Sequence, residues 1–141
     1  MLTTIEKVLI LQDIDIFEFT ATEDLSHIAA ITEEVEYEAD SVIFQEEEIS
    51  DSMYVVVEGK VKLTRDDQDV MTAENKDVFG TWALFDDEPR IVTATALENT
   101  QLLRIDKDEF VDLLADHVAI TQSVLKTMAK RLRNLMRRIS K

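Results

Sequence analysis

Cysteine is absent from this chain, and glycine occurs only twice, proline once and tryptophan once in 141 residues. Without cysteine there is no disulfide framework, no thiolate metal site and no thiol nucleophile. The two histidines, His27 and His117, each fall in a helical pattern with no second histidine at ligand spacing. They read as surface or boundary residues rather than metal ligands. No long apolar run and no N-terminal apolar leader are present, so the expectation is a soluble, cytoplasmic protein without a membrane span or export signal of its own. No nucleophile–base pair is visible, and the many carboxylates alternate along strands or crowd in loops as solvated faces do. An enzyme is therefore not expected.

Basic residues are also scarce, 15 against 30 acidic ones, for a net charge of −15. They are unevenly placed. Lys126 to Lys141 holds seven basic residues and no acid, while the preceding 125 residues hold 8 basic and 30 acidic ones, a net −22. Such a body repels nucleic acid, whose binding rests on neutralised phosphates. The basic run reads as a helix lying against the acidic body, or as a contact for an anionic surface. The sequence ends at Lys141 with no helix-turn-helix after this run, and no nucleic-acid contact is expected of this chain.

The length and the 45% apolar content fit one globular domain, 1–141, with a core of its own. Three parts emerge from the patterning: a helical part over 1–33, strands over 34–105 and helices over 106–141. Thr3 and Glu6 form a capping box ahead of Ile5, Val8, Leu9 and Ile10. A break at Asp13 to Phe17 precedes a second helix from about Thr22, which carries Leu25, Ile28, Ala29 and, at its end, Ile31. At Glu34 the helical period gives way to alternation, with Val35, Tyr37 and Ala39 set between glutamates. Strands are predicted at Ser41 to Phe44, Met53 to Val57, Lys60 to Leu63, Val70-Met71 (weakly), Arg90 to Leu97 and Gln101 to Ile105, with a tight turn at Glu58-Gly59. Many short strands separated by turns point to a sandwich, jelly roll or small barrel rather than a parallel α/β sheet. Asp106, with Glu109 three residues on, caps a helix that carries Phe110, Leu113 and Leu114. In the last helix Leu125, Met128, Leu132, Leu135 and Ile139 keep the spacing of an a/d seam about three heptads long.

The rare residues gather in one place. Gly80, Trp82 and Pro89 lie within FGTWALFDDEPR, and Arg90 comes directly after Pro89. Gly80 permits a sharp turn or a close approach to a ligand. The turn N–H groups at Thr81 to Leu84 and the planar fork of Arg90 together make a cradle for one phosphate. The competing reading is that Arg90 pairs with Asp86, Asp87 or Glu88 beside it.

Phe79-Gly80-x-x-Ala83-Leu84, four residues, then Pro89-Arg90-x-x-Thr93 resembles the phosphate-binding cassette of cyclic nucleotide-binding domains. Ile14 to Phe17, Ile43-Phe44, Ser52-x-Tyr54, Val57 to Val61, Leu102-x-x-Ile105 and Phe110 extend the resemblance over nearly the whole chain. It implies an eight-stranded β jelly roll with helices at both ends, including a long C-terminal one. It implies Gly80, Thr81, Trp82, Ala83, Arg90 and Ile91 as ligand-binding residues, cAMP or cGMP as the ligand, and no catalytic or metal-binding residue. Arg90 would meet the cyclic phosphate with help from the Trp82 and Ala83 N–H groups. Trp82 would either stack on the base or fill the pocket or core.

This chain departs from the family pattern at several points. Thr81 stands where a glutamate accepts the ribose 2′-hydroxyl. Losing that charge-assisted contact costs about 1.5–3 kcal/mol, roughly ten- to a hundred-fold in affinity. Asp40, Glu47, Ser50 and Lys76 occupy places where glycine is common. Asp40 suits a left-handed position, and the other three lead one to expect altered loops. The last helix resembles the family's dimer helix. Its seam would form a homodimer, pack on the chain's own barrel, or dock on a fused domain. The resemblance leaves two functions. One is a regulatory module that senses a small nucleotide at the cassette and signals through the C-terminal helix. The other is a degenerate module that binds no nucleotide and serves in assembly.

Overall fold

A computed structural model describes residues 1–139. Ser140 and Lys141 lie outside the described residues, and with them the last charge of the basic run. The chain forms two compact units. One is a strand unit from Ile31 to Val111, and the other is a helical unit made of Leu2–Ala30 with the chain from Asp112 onward.

The strand unit holds eight antiparallel strands in two four-stranded sheets. One sheet has the order β1 (Thr32–Tyr37), β8 (Thr100–Asp106), β3 (Ser52–Glu58), β6 (Val78–Phe79). The other has the order β2 (Val42–Phe44), β7 (Thr93–Ala96), β4 (Val61–Arg65), β5 (Gln68–Ala73). This is the eight-stranded jelly roll that the resemblance implied, one of the three architectures the short strands allowed. The faces that meet carry Phe44, Tyr54, Val56, Val61, Leu63, Phe79 and Leu102 in one buried cluster. Within it the Tyr54 and Phe79 rings stack at 5.2 Å between centroids, an aromatic contact that adds to simple burial.

Turn chemistry sets the strand ends. Gly59 has φ +114°, and a Cβ there would lie 2.7 Å from the Thr100 backbone, so only glycine fits between β3 and β4. Asp66 and Asp67, at φ 52° and 63°, join β4 to β5. Two successive left-handed residues match the twist of a two-residue hairpin. Asp40, Glu47 and Lys76 also hold positive φ, 70°, 71° and 71°. The loops expected to be altered at Glu47 and Lys76 therefore keep the backbone that glycine would give, at a strain of about 1–2 kcal/mol each. Ser50 is not among the positive-φ residues.

Two strand expectations change. The run from Arg90 to Leu97 pairs as a strand only over Thr93–Ala96, because the Arg90 and Glu47 N–H groups bond to the loop instead. Val70-Met71 belongs to a full six-residue strand whose outer face is exposed.

In the helical unit the capping box forms as its residues imply: Glu6 N–H donates to Thr3 Oγ1 at 3.1 Å and Thr3 N–H donates to Glu6 Oε1 at 3.0 Å. Helix α1 (Thr4–Leu11) leads into a 3-10 turn at Asp15–Phe17 and then α2 (Thr22–Ala30), which ends before Ile31. Helix α3 (Lys107–Asp116) is capped by the Asp106 carboxylate, which accepts from Asp108 N–H at 3.1 Å and Glu109 N–H at 3.3 Å. The long helix α4 (Val118–Ile139) buries Ile120, Ser123, Val124 and Thr127. Its Ser123 hydroxyl lies 2.9 Å from the Thr20 hydroxyl. Lys130 Nζ donates to Glu18 at 2.7 Å, and Arg131 lies 3.9 Å from Asp15. Part of the basic run thus lies against acids of its own unit, as its charge pattern implied.

The a/d seam is a different face of α4. Leu125, Leu132, Leu135 and Ile139 are exposed and Met128 is half-buried. The buried face of the helix, with Ile120, Ser123, Val124 and Thr127, lies one step round from this seam and meets Thr20 of its own unit. His27 and His117 meet in this unit as a stacked pair, ring centroids 4.3 Å apart, a juxtaposition that no local spacing announces. No cluster of three or more metal-ligating side chains exists among the described residues, and no described helix is long and apolar enough to cross a membrane.

Candidate functional site: the cavity around Arg90

Arg90 sits just after the loop that leaves β6. Its position is fixed at both backbone and side chain. Arg90 N–H donates to Glu48 O at 2.9 Å, and Glu47 N–H donates to Arg90 O at 2.8 Å. The side chain turns inward and is 5% exposed. Nη2 donates to Ser52 O at 2.9 Å and to Ser52 Oγ at 3.3 Å. The guanidinium lies over the Phe44 ring, 3.9 Å from its centroid, an electrostatic attraction strengthened by exclusion of water. Asp51 is 3.7 Å from Nη2 and shares itself with Arg104 at the same distance.

The pairing of Arg90 with Asp86, Asp87 or Glu88 does not form. Asp87 pairs with Lys107 instead, which also donates to Asp86 O at 2.7 Å. That pairing holds the Asp87 carboxyl below its ordinary range. Asp87 is thereby drawn to Lys107, the first residue of α3, while the Asp86 carboxylate accepts from Glu88 N–H at 3.2 Å.

Two donors of that interior cation are unmet. Nε and Nη1 of Arg90 are buried without a hydrogen-bond partner. Burial pushes the guanidinium below its ordinary pKa, against the opposing effect of Tyr54 and Asp51, yet an arginine keeps its charge at any physiological pH. A buried charge with open donors is costly, and an anion at those donors recovers that cost.

Gly80 lies directly over this group. Its φ is +76°, and a Cβ built there would come within 2.6 Å of Arg90 Nη1 and 3.1 Å of Ser52 O. Glycine is thus required twice, for the backbone turn and for the room it leaves the guanidinium. The 3-10 turn Thr81–Leu84 comes next. The Ala83 N–H, expected to point at a phosphate, is instead taken by Gly80 O at 3.1 Å, as the turn geometry demands. Arg90 remains the side-chain donor of the site, through Nε and Nη1.

All six expected binding residues line one cavity of about 530 Å³. Gly80, Ala83 and Arg90 form its inner wall, and Thr81 is half-buried. Ile91 and Trp82, 57% and 68% exposed, stand at its edge. The exposure of Trp82 overturns the reading in which it fills the core.

Comparison with known proteins agrees with this architecture. The family model described as "Cyclic nucleotide-binding domain" matches residues 34–117. The chain belongs to the cyclic nucleotide-binding domain family. Over 116 residues it is 32% identical to the CRP-like cAMP-activated global transcriptional regulator of Mycobacterium tuberculosis, covering 77% of this chain and 52% of that protein. It is 31% identical over 114 residues to a cAMP-dependent protein kinase regulatory subunit of Dictyostelium discoideum, covering 75% and 33%. Among solved structures, the N-terminal domain of a transcriptional regulator from Streptomyces coelicolor superposes with a TM-score of 0.85 at 28% identity, covering 89% of this chain and 94% of that one. The chain spans about half the length of the first of these relatives and a third of the second.

In this cyclic nucleotide-binding domain the residues that hold Arg90 were only partly legible. Ser52 was visible as part of a family motif, with no role attached to it. Phe44 was visible as a strand residue and part of a family motif, and Glu47 as a residue in a glycine place, neither with a role toward Arg90. Glu48 and Asp51 carried no signal beyond their general acidity.

Proposed function

We propose that residues 1–141 act as one cytoplasmic regulatory module that senses cAMP, cGMP or a related small nucleotide at the Arg90 cavity and signals through α4. The observation that carries this reading is the buried guanidinium with two open donors beneath the turn at Gly80. Asp51, exposed and 3.7 Å away, is its ion-pair partner among the described residues, and a cyclic phosphate supplies an anion to the donors left open. The relatives named for cAMP activation and cAMP dependence support the choice of ligand. Thr81 offers a shorter, uncharged group for the ribose, so affinity is weaker than with a carboxylate there. The exposed seam of α4 is the output: Leu125, Leu132, Leu135 and Ile139 join a second copy of the helix, or dock on a fused domain. Nucleotide shifts that association only by binding one arrangement more tightly than the other.

One observation favours an assembly module without ligand. Nη2 of Arg90 is already satisfied by Ser52, and the whole group is shielded. Titration calorimetry with cAMP and with cGMP on the wild type and on Arg90→Ala separates the two readings. Binding that is present in the wild type and lost in the variant supports the sensor. No heat at millimolar ligand from a folded protein leaves the assembly module.

A further inference from the structure

The mouth of the cavity is built unlike the rest of this surface. In a chain with twice as many acids as bases, Trp82, Ile91, Val70 and Met71 border one opening and are 68%, 57%, 55% and 44% exposed. They come from three separate segments, the cassette turn, the start of the chain after Pro89, and β5. Apolar side chains gathered from separate segments around one concavity mark a contact surface rather than the scatter normal for a surface. Among the described residues, the only charged groups lining the cavity besides Arg90 are Asp86 and Glu88, so the mouth offers no second cation. Whatever enters is therefore held by its charge at one end only, and by apolar contact along the rest.

Trp82 is the largest and most exposed of the four. Its backbone is held in a short turn, and a planar indole gives a large contact area at low entropic cost. The neighbouring Ala83 and Leu84 are buried, which fixes the turn while leaving the indole outside.

We infer that Trp82 is a specificity-determining residue that lies against a flat, apolar ring of the ligand, so that the cavity takes an anion with an aromatic body, its charged end at Arg90. This rests on the proposed anion site. It adds that all groups needed to hold the ring lie between β2 and Val92 in the strand unit. The base of a cyclic nucleotide meets both demands.

Trp82 is the sole tryptophan of the chain, so its fluorescence reports the contact directly. The test is a titration with cAMP, and separately with inorganic phosphate, monitored by tryptophan emission and by calorimetry. Wild type, Trp82→Phe and Trp82→Ala are compared. Expected are a change in Trp82 emission with cAMP and none with phosphate, about ten-fold or greater loss of cAMP affinity in Trp82→Ala, and affinity largely kept in Trp82→Phe. Because the side chain is mostly exposed, the variants should fold, which circular dichroism checks. Wild-type binding by calorimetry with unchanged emission, and an alanine variant within about two-fold of wild type, would overturn the ring contact and leave the anion site standing. Equal emission changes with phosphate would also overturn it. Absence of cAMP binding to the wild type would remove both proposals together.

Discussion

The cavity mouth and the α4 seam are two places where this chain exposes apolar side chains in an ordered pattern, and they differ in almost every other respect. The mouth is concave, gathers its side chains from three segments, and has acids at its edge and one cation buried beneath it. The seam is a straight stripe from one helix, and its cations, Arg133, Arg137 and Arg138, are exposed alongside the stripe. A buried cation with open donors favours an anion, which offsets the cost of its burial. Exposed cations beside an apolar stripe are already solvated and select little. We therefore propose a small charged molecule as the occupant of the one, and another helix or a fused domain as the partner of the other.

The largest expected effect is at the seam. We predict that Leu132→Asp shifts association to weaker affinity by at least about a hundred-fold, because it places a carboxylate in an apolar interface. The fold should stay stable, since Leu132 is 62% exposed within the chain. Analytical ultracentrifugation with a parallel melt checks both, and a wild type that is already monomeric removes the dimer. At the cavity, Thr81→Glu should tighten cAMP by roughly ten- to a hundred-fold if its carboxylate meets the ribose. Unchanged affinity in calorimetry would show that the sugar lies elsewhere. Gly80→Ala should cost about 1–2 kcal/mol of stability from its left-handed backbone alone. It should also weaken cAMP through the crowding of Arg90 Nη1; a melt without loss would put the turn in a different conformation. The smallest effect concerns neither surface. Lys76→Gly, at φ 71°, should raise stability by up to about 1 kcal/mol, or roughly 3 °C in Tm. A lower Tm would mean that the lysine side chain contributes more than its backbone strain costs.

These expectations show where sequence reading succeeds. Capping boxes, alternation and the Gly59 turn are local, and each appeared where the residues placed it. The cassette was legible because Gly80 and Arg90 are rare residues at a fixed spacing, and the structure shows why that spacing holds: the glycine makes room for the arginine. The surroundings of Arg90 were less legible. Its partners, Ser52, Phe44 and Asp51, stand 38 or more residues away, brought near by the pairing of β2 with β7 and the closing of the two sheets. The acids next to it in sequence were the wrong partners because Lys107, at the start of α3, takes Asp87 instead. Glu47 and Lys76 misled for another reason. Their side chains advertise no turn, yet their backbones adopt one, because neighbouring hydrogen bonds such as Glu47 N–H to Arg90 O outweigh the local strain. On α4 the spacing identified an apolar stripe correctly but not which face of the helix is buried, since Ile120, Val124 and Thr127 form a second, less regular stripe beside it.

The central claim is that the open donors of Arg90 receive the anionic end of a nucleotide. Its most direct test is the Arg90 Nε–H resonance in a ¹⁵N–¹H spectrum, assigned by its loss in Arg90→Lys, recorded with and without saturating cAMP. The account predicts that this resonance shifts and its exchange with water slows as the phosphate accepts from it. A resonance that stays unchanged at saturation, in a sample where calorimetry shows cAMP bound, would place the anion away from Arg90 and contradict the account.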